Sequence, residues 1–414
     1  MPRNHLRARL GRLGLAWTIV CLLVISLSGC GQVTPTPEPV TIRFVHFGVD
    51  ADYYQTLAQE FNASYPYITV ELRDDDADDA DVFINSPFAL GGLRDEVLSL
   101  DPFIEQDESF DRSDFYPGTV ELFTREGETW AVPAAVNMMV TYFNQDLFDQ
   151  YNVPYPEAGW TLDDFLNKAL ALRDPEASVF GYAPLDPFLD ALLFIYQHGG
   201  WIFDDLRNPT RTAFDDPLTV EALEWYVGLT HEHNVAPTQD QLYDKAFGQT
   251  MESGVYLGKV GMWIEWLSER GGGGGVESRW PGEWKMRWGM APLPRDAQQA
   301  TLAFANGYFM SSQTPYPDAC WKWIAFLSGQ IPRSAVPARR SLVESTAYEQ
   351  LVGREVGAVV RVSMEDAVLL SPRIVEFDQA LGIFGQALNS IISGRSTPEE
   401  AMTQAQREAE RTGP

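Results

Sequence analysis

The sequence predicts an α/β protein on a parallel sheet, and three neighbouring segments carry that expectation. Thr41 to Phe47 (TIRFVHF) alternates and is rich in β-formers, which reads as a first strand. Asp52 to Tyr65 follows with Tyr54, Leu57, Ala58 and Phe61 on one helical face. Ile68 to Leu72 and Asp81 to Ile84 then read as the second and third strands. A β-α-β opening of this kind takes right-handed crossovers and covers its sheet with helices.

Later helices announce their own starts. Thr161 can cap with Asp164 at N3, while Trp160 can pack on Phe165 as a hydrophobic staple. Asp216-Pro217 places a cap and an N1 proline before Val220, Leu223 and Val227. Thr397-Pro398-Glu399-Glu400 is a further capping box with proline at N1. These signals predict ordered structure up to about Glu410.

Composition bounds the function. The chain has 414 residues with 58 acidic and 30 basic side chains, a net charge of -28. That balance argues against a nucleic-acid binder, because phosphate contacts need clustered Lys and Arg. At 45% hydrophobic and 12% aromatic, the chain has enough apolar surface to offset the entropy of ordering. The length suggests two domains, or one large one with a tail. Cys21, Cys30 and Cys320 are too few for a disulfide scaffold and too far apart for a thiolate zinc site.

The first residues read as an address. Arg3, Arg7, Arg9 and Arg12 precede an apolar run from Leu13 to Leu27, short for a membrane span and right for a signal sequence. The run closes on Leu27-Ser28-Gly29-Cys30, which resembles the bacterial lipobox, so Cys30 is the expected lipidation site after removal of residues 1–29. Losing four arginines and no acid would take the charge from -28 to about -32. Residues 30–40, with Pro35, Pro37 and Pro39, form a semi-extended tether. The expected location is extracytoplasmic, lipid-anchored to the cell membrane at the surface or in a periplasm.

Catalytic and metal signatures fail one by one. The run from Asp74 to Asp81 lacks the Gly and Glu that a calcium loop needs at its sixth and twelfth places. His231 and His233 diverge on a helix, and His46 and His198 are isolated, so no metal site is expected. Gly271 to Gly275 has no following Lys-Ser/Thr and is a flexible loop, not a phosphate cradle. There is no nucleophile elbow, zinc-protease helix or dinucleotide fingerprint. Cys320 lies in an apolar helical run and reads as a buried thiol. A glycosidase acid/base pair stays open, because composition cannot say which carboxylates face each other.

Seven fragments then follow one another in a family's order. Gly127-Glu128-Thr129-Trp130-Ala131-Val132-Pro133 leads to Thr141-Tyr142-Phe143-Asn144-Gln145-Asp146-Leu147-Phe148 and to Trp160-Thr161-Leu162-Asp163-Asp164-Phe165. Gly199-Gly200-Trp201-Ile202-Phe203, Gly258-Lys259-Val260-Gly261-Met262-Trp263-Ile264, Ala291-Pro292-Leu293-Pro294 and Ser393 to Ala401 complete the series. Together they resemble the extracellular solute-binding proteins of ABC importers, in the sugar-binding group that includes maltose-binding protein. Two places depart from the pattern: Glu265-Trp266 stand where a small residue or glycine is usual, and acids replace a Gly/Pro-rich approach at 74–81.

The resemblance implies a two-lobed periplasmic-binding-protein fold with a strand-crossover hinge and ligand held in the cleft. It places 41–145 and 290–330 in the first lobe, and 146–289 and 331–414 in the second. It implies a non-enzymatic, monomeric protein without cofactor or metal, whose partners are a carbohydrate and the permease subunits of an ABC importer. Because open α/β sheets bind beyond the carboxyl ends of their strands, the expected ligand residues follow strands and matched turns. These are Asp50, Asn85, Ser86, Asn137, Asp186, Phe188, Trp201, Glu265, Trp266, Asn306 and Arg339. Aromatic planes suit the C–H faces of sugars, and amides, carboxylates and guanidinium make forked bonds to adjacent hydroxyls. A lipid-anchored glycan-degrading enzyme and a binder of another solute, such as a polyamine, are the alternatives.

Overall fold

The computed structural model describes residues 38–46, 51–74, 79–93, 96–205, 208–272 and 279–412. Thr41–Pro414 forms one compact unit. The signal segment, Cys30 and Asp50 lie outside the described residues, as do Asp75, Asp76 and Asp78 of the acidic run.

The opening folds as its pattern dictates. Strand β1 (Val40–Val45), the helix Ala51–Ser64, β2 (Ile68–Arg73) and β3 (Val82–Asn85) succeed one another, and β1 pairs in parallel with β3, Phe44 opposite Val82. The helix buries Tyr53, Tyr54, Leu57, Ala58 and Phe61, the face expected from its spacing. Phe61 and Phe44 pack on Trp323 of the helix Pro317–Ser328, with centroids 5.0 and 5.7 Å apart. Cys320 on that helix is fully buried, and burial pushes its thiol up to about 12.

After a short hairpin of β4 (Thr124–Arg125) and β5 (Glu128–Thr129), the sheet departs from the parallel expectation. The remaining strands are β6 (Ala131–Asn144), β7 (Phe180–Ala183), β8 (Val260–Trp266), β9 (Trp288–Ala291), β10 (Thr301–Met310), β11 (Val336–Pro337) and β12 (Ala367–Leu369). Their spatial order is β2-β1-β3-β10-β6-β8-β7, with β9 and β11 joined to β6 and β12 to β10. β10 runs antiparallel to β3 and β6, and β8 and β9 run antiparallel to β6, while β7 and β8 are parallel. The sheet is therefore mixed. A strand that carries the chain out of one lobe and the strand that carries it back point in opposite directions, so they pair antiparallel.

β6 makes the fold two-lobed. Its residues from Ala131 to Met138 pair with β10, and those from Met139 to Asn144 pair with β8 and β9. Fourteen residues span about 46 Å at the usual rise, enough to serve two half-sheets in turn. Asn306 sits inside β10 at an irregular step in its pairing with β6, not at the start of a strand.

The second half-sheet is covered by helices whose starts match their capping signals. Thr161 and Asp164 exchange bonds at the start of Leu162–Leu172, with Trp160 5.8 Å from Phe165. Asp216 caps Pro217–His231, and Thr397 and Glu400 exchange bonds at the start of Pro398–Thr412. Phe165, Tyr182, Phe194, Phe384 and Met402 share one buried core with the helix Asp378–Ile392. The chain beyond residue 330 touches both halves: Val336 pairs with Val136, whereas the last two helices enter this second core. His198 is half-buried and hydrogen-bonds to Asp296 and Glu221, at 2.5 and 3.4 Å.

Gly181 in β7 lies so close to the preceding helix that an added Cβ would run into the Ala169 carbonyl. Backbone cannot yield as a side chain can. Gly181→Ala should therefore lower stability by about 1–3 kcal/mol, read as a lower urea midpoint, with an unchanged slope.

Candidate functional site

The two half-sheets meet at residues 137–139 of β6, and several ligand residues expected from the sequence converge there. Asn137 stands opposite Phe304 in β10, and the next residue on the same face, Met139, stands opposite Trp266 at the end of β8. The Trp266 indole lies 4.9 Å from the Phe304 ring, and Phe88, just beyond β3, meets Phe304 edge-on at 6.0 Å. All three rings are half-buried, so they present an aromatic surface without being sealed in the core.

Amide groups surround these rings. Asn137 donates from Nδ2 to Ser268 Oγ at 2.9 Å and accepts the Ser268 N–H at 3.1 Å, which pins the turn after β8 to the crossover strand. Asn85 pairs through its backbone with Gly307, beside the exposed Asn306, and its Oδ1 accepts the Ser86 N–H at 2.8 Å. Asn85, Ser86, Asn137, Asn306 and Trp266 thus surround one junction.

A second group lies across β8. Successive strand residues face opposite ways, so Glu265 points away from the Trp266 face. It is 3% exposed, its Oε1 accepts the Trp266 N–H at 2.9 Å, and its Oε2 is 3.1 Å from Arg279 Nη2. Arg279 also reaches Glu252 Oε1 at 3.4 Å. Burial pushes the Glu265 carboxyl up to about 7 against the pull of Arg279, with Glu269 and Asp186 adding repulsion. Asp186 caps the helix Pro187–His198 by accepting the Phe188 and Leu189 N–H groups. One turn on, Asp190 is fully buried and accepts from the Tyr182 hydroxyl at 2.6 Å. Burial raises its carboxyl well above the usual range; nearby Asp186 and Glu265 add to this.

A cavity of about 1010 Å³ adjoins this second group on the second lobe, lined among others by Leu185, Pro187, Tyr226, Thr230, Glu252 and Asn389. It is large enough for a small solute. No cluster of His, Cys, Asp and Glu with metal-binding geometry occurs among the described residues.

Two sequence-predicted site residues, Trp201 and Arg339, stand apart from the junction. Trp201 follows Gly199 at the far end of the helix that Asp186 caps, about 18 Å away by helix rise, where it packs near Tyr196. Arg339 lies over the neighbouring Phe110 and Phe115 rings and binds the Ser328 and Asp111 carbonyls and Asp114, a tie to the segment that precedes β6. Asp50 is outside the described residues. Phe188 is the second residue of the helix Pro187–His198, packed edge-on against Phe384 at 5.7 Å.

Sequence reading missed Phe88, Phe304, Ser268 and Arg279. Phe304 carried a usable signal, since it is two residues before Asn306 and so on the same strand face. Arg279 carried none, because no local spacing rule links it to Glu265, which stands well before it in the chain.

A mixed α/β fold of two lobes joined by a shared strand, with aromatic and amide groups gathered at the crossing, is the architecture of a solute-binding protein. The chain belongs to the bacterial extracellular solute-binding proteins, whose family model matches residues 48–330. Over 122 residues it is 25% identical to an arabinooligosaccharide-binding protein of Halalkalibacterium halodurans, an alignment covering 30% of this chain and 26% of that relative. An ABC substrate-binding protein from Listeria monocytogenes in complex with cycloalternan superposes with a TM-score of 0.72 at 22% identity, covering 91% of this chain and 99% of that one. Maltose-bound T. maritima MalE3 gives 0.68 at 19% identity, covering 90% and 100%. These relatives are binding proteins. Among the described residues no helix is long and apolar enough to cross a membrane.

The Glu265 shift has a consequence for stability. Its folded value, about 7, exceeds the ordinary 4.5, so its stabilising contribution is complete below 4.5 and lost as pH rises through 7. The full loss is on the order of 3 kcal/mol. Glu265→Gln should remove this dependence, so its stability relative to wild type should rise between pH 4.5 and 8 in urea titrations.

Proposed function

We propose that this chain captures a carbohydrate in the cleft between its lobes and delivers it to the permease of an ABC importer. The observation that carries the reading is the junction on β6, where Trp266 and Phe304 offer aromatic faces beside the amides of Asn137, Asn85 and Asn306. Aromatic faces accept the C–H surface of a sugar ring, and amides both donate to and accept from hydroxyls. The arabinooligosaccharide, cycloalternan and maltose named for the relatives support the same ligand class. Ligand that binds both lobes favours the closed arrangement by its differential affinity, and closure is the signal a permease can read.

The lobes in this proposal comprise 41–145 with 290–330 and 146–289 with 331–414, apart from Val336 to Ser341, which return to the first half-sheet side through Val136, Asp111 and Asp114. The protein acts as a monomer without turnover, held outside the cytoplasmic membrane by lipid on Cys30. A second reading, a cationic solute such as a polyamine, draws on the carboxylates of Asp186, Glu252 and Glu265 against Arg279.

Thermal unfolding against arabino- and malto-oligosaccharides and spermidine tests both, because a ligand that binds only the native state raises the midpoint. A rise with an oligosaccharide and none with spermidine is expected; the reverse would replace the carbohydrate. Hydrolysis of any glycan in the panel would overturn the binding-only role. Trp266→Ala should weaken sugar affinity by roughly tenfold with little change in the ligand-free midpoint, measured by calorimetry. Cys30→Ser should release the protein from the membrane fraction.

A further inference from the structure

The backbone of Trp266 is held from both sides by side chains. Its N–H is bound by Glu265 Oε1 at 2.9 Å, and its carbonyl accepts from the Tyr142 hydroxyl at 3.2 Å. The indole then leans on Phe304 at the lobe junction. Glu265 is itself paired with Arg279, which it shares with Glu252 of the helix Met251–Tyr256. We propose that Glu265 and Arg279 are positioning residues for the Trp266 indole, and that proton occupancy of Glu265 sets how firmly this indole is presented to ligand.

Every packed element contributes to the balance around Glu265. Arg279 favours its ionised form, whereas burial, Glu269 after β8 and Asp186 before the helix Pro187–His198 oppose it. Asp190 on that helix is fully buried, which pushes its carboxyl well above the usual range, and Tyr142 faces Arg270 as well as Glu265 and Glu269. Arg270 is engaged with the Leu267 and Ser334 carbonyls, so it holds the turn and leaves Arg279 as the counter-charge. These opposing influences leave Glu265 titrating near neutrality. Above that point a charged acceptor grips the Trp266 N–H and pairs with Arg279. Below it the acceptor is neutral, its hydrogen bond is weaker, and Arg279 keeps Glu252 alone. Closure on ligand would then be tighter on the alkaline side.

The ligand consequence rests on the carbohydrate reading, but the positioning is a property of the free protein and is tested there. In the full chain labelled with 5-fluorotryptophan, the Trp266 fluorine resonance, assigned by Trp266→Phe, should shift between pH 5.5 and 8.5 with a midpoint near 7. Glu265→Gln should flatten that titration, Arg279→Met should move the midpoint up, and Arg279→Lys should restore it. A Trp266 resonance that does not titrate, or one that titrates unchanged in Glu265→Gln, overturns the proposal. So does an unmoved midpoint in Arg279→Met, which decides the matter even if Glu265→Gln fails to fold. For an oligosaccharide that raises the thermal midpoint, affinity should fall roughly three- to tenfold from pH 8 to 6 in wild type and stay level in Glu265→Gln. Absence of any sugar binding would remove the carbohydrate reading while the fluorine titration still supports or overturns the positioning.

Discussion

The backbone ladder along β6 is the constraint on which the rest of the molecule depends. One strand supplies hydrogen-bond partners to β10 over its first half and to β8 and β9 over its second, so two half-sheets are joined without a flexible linker. Unpaired backbone groups in a buried strand would be costly, and the ladder therefore fixes register on both sides of the crossing. That register sets which residues meet. Asn137 faces Phe304 and Met139 faces Trp266 because the pairing changes from one partner to the other between them.

Charge is handled differently on the two faces of β8. The Trp266 face gathers rings and neutral amides, while the opposite face buries Glu265 with the Arg279 guanidinium and several carboxylates nearby. A buried carboxylate with one partner titrates higher than a surface one, since desolvation disfavours the charged form. The same desolvation is stronger at Asp190, which is bound by a tyrosine hydroxyl and forms no ion pair among the described residues. The overall charge of -28 says little about this, because the local arrangement of a few groups decides what a buried site tolerates.

Much of the fold was legible locally. Capping at Thr161, Asp216 and Thr397 depends on residues three positions apart, and the helical face of Ala51–Ser64 depends on spacing alone. The site was legible only in pieces. Asn85, Asp186, Glu265 and Trp266 lie at or near strand ends and turns, where the general rule for α/β sheets places ligand residues, whereas Asn137 lies mid-strand at the crossing. Trp201 shared a matched turn but sits one helix away, and Arg339 shared a return segment but is consumed by Asp114 and two aromatic rings. A turn motif reports a backbone shape, not the end of the helix from which it projects.

What the sequence by itself determined is the set of local elements, the α/β class and, through the order of its motifs, the family. What only the tertiary structure decided is strand direction and cross-strand company: the antiparallel crossing, the Phe304–Trp266 contact and the Arg279–Glu265 pair. The physical reason is range. Caps and amphipathic faces are settled by neighbours within a turn or two, whereas a ladder register and a buried ion pair join residues far apart in the chain through packing that no short window contains.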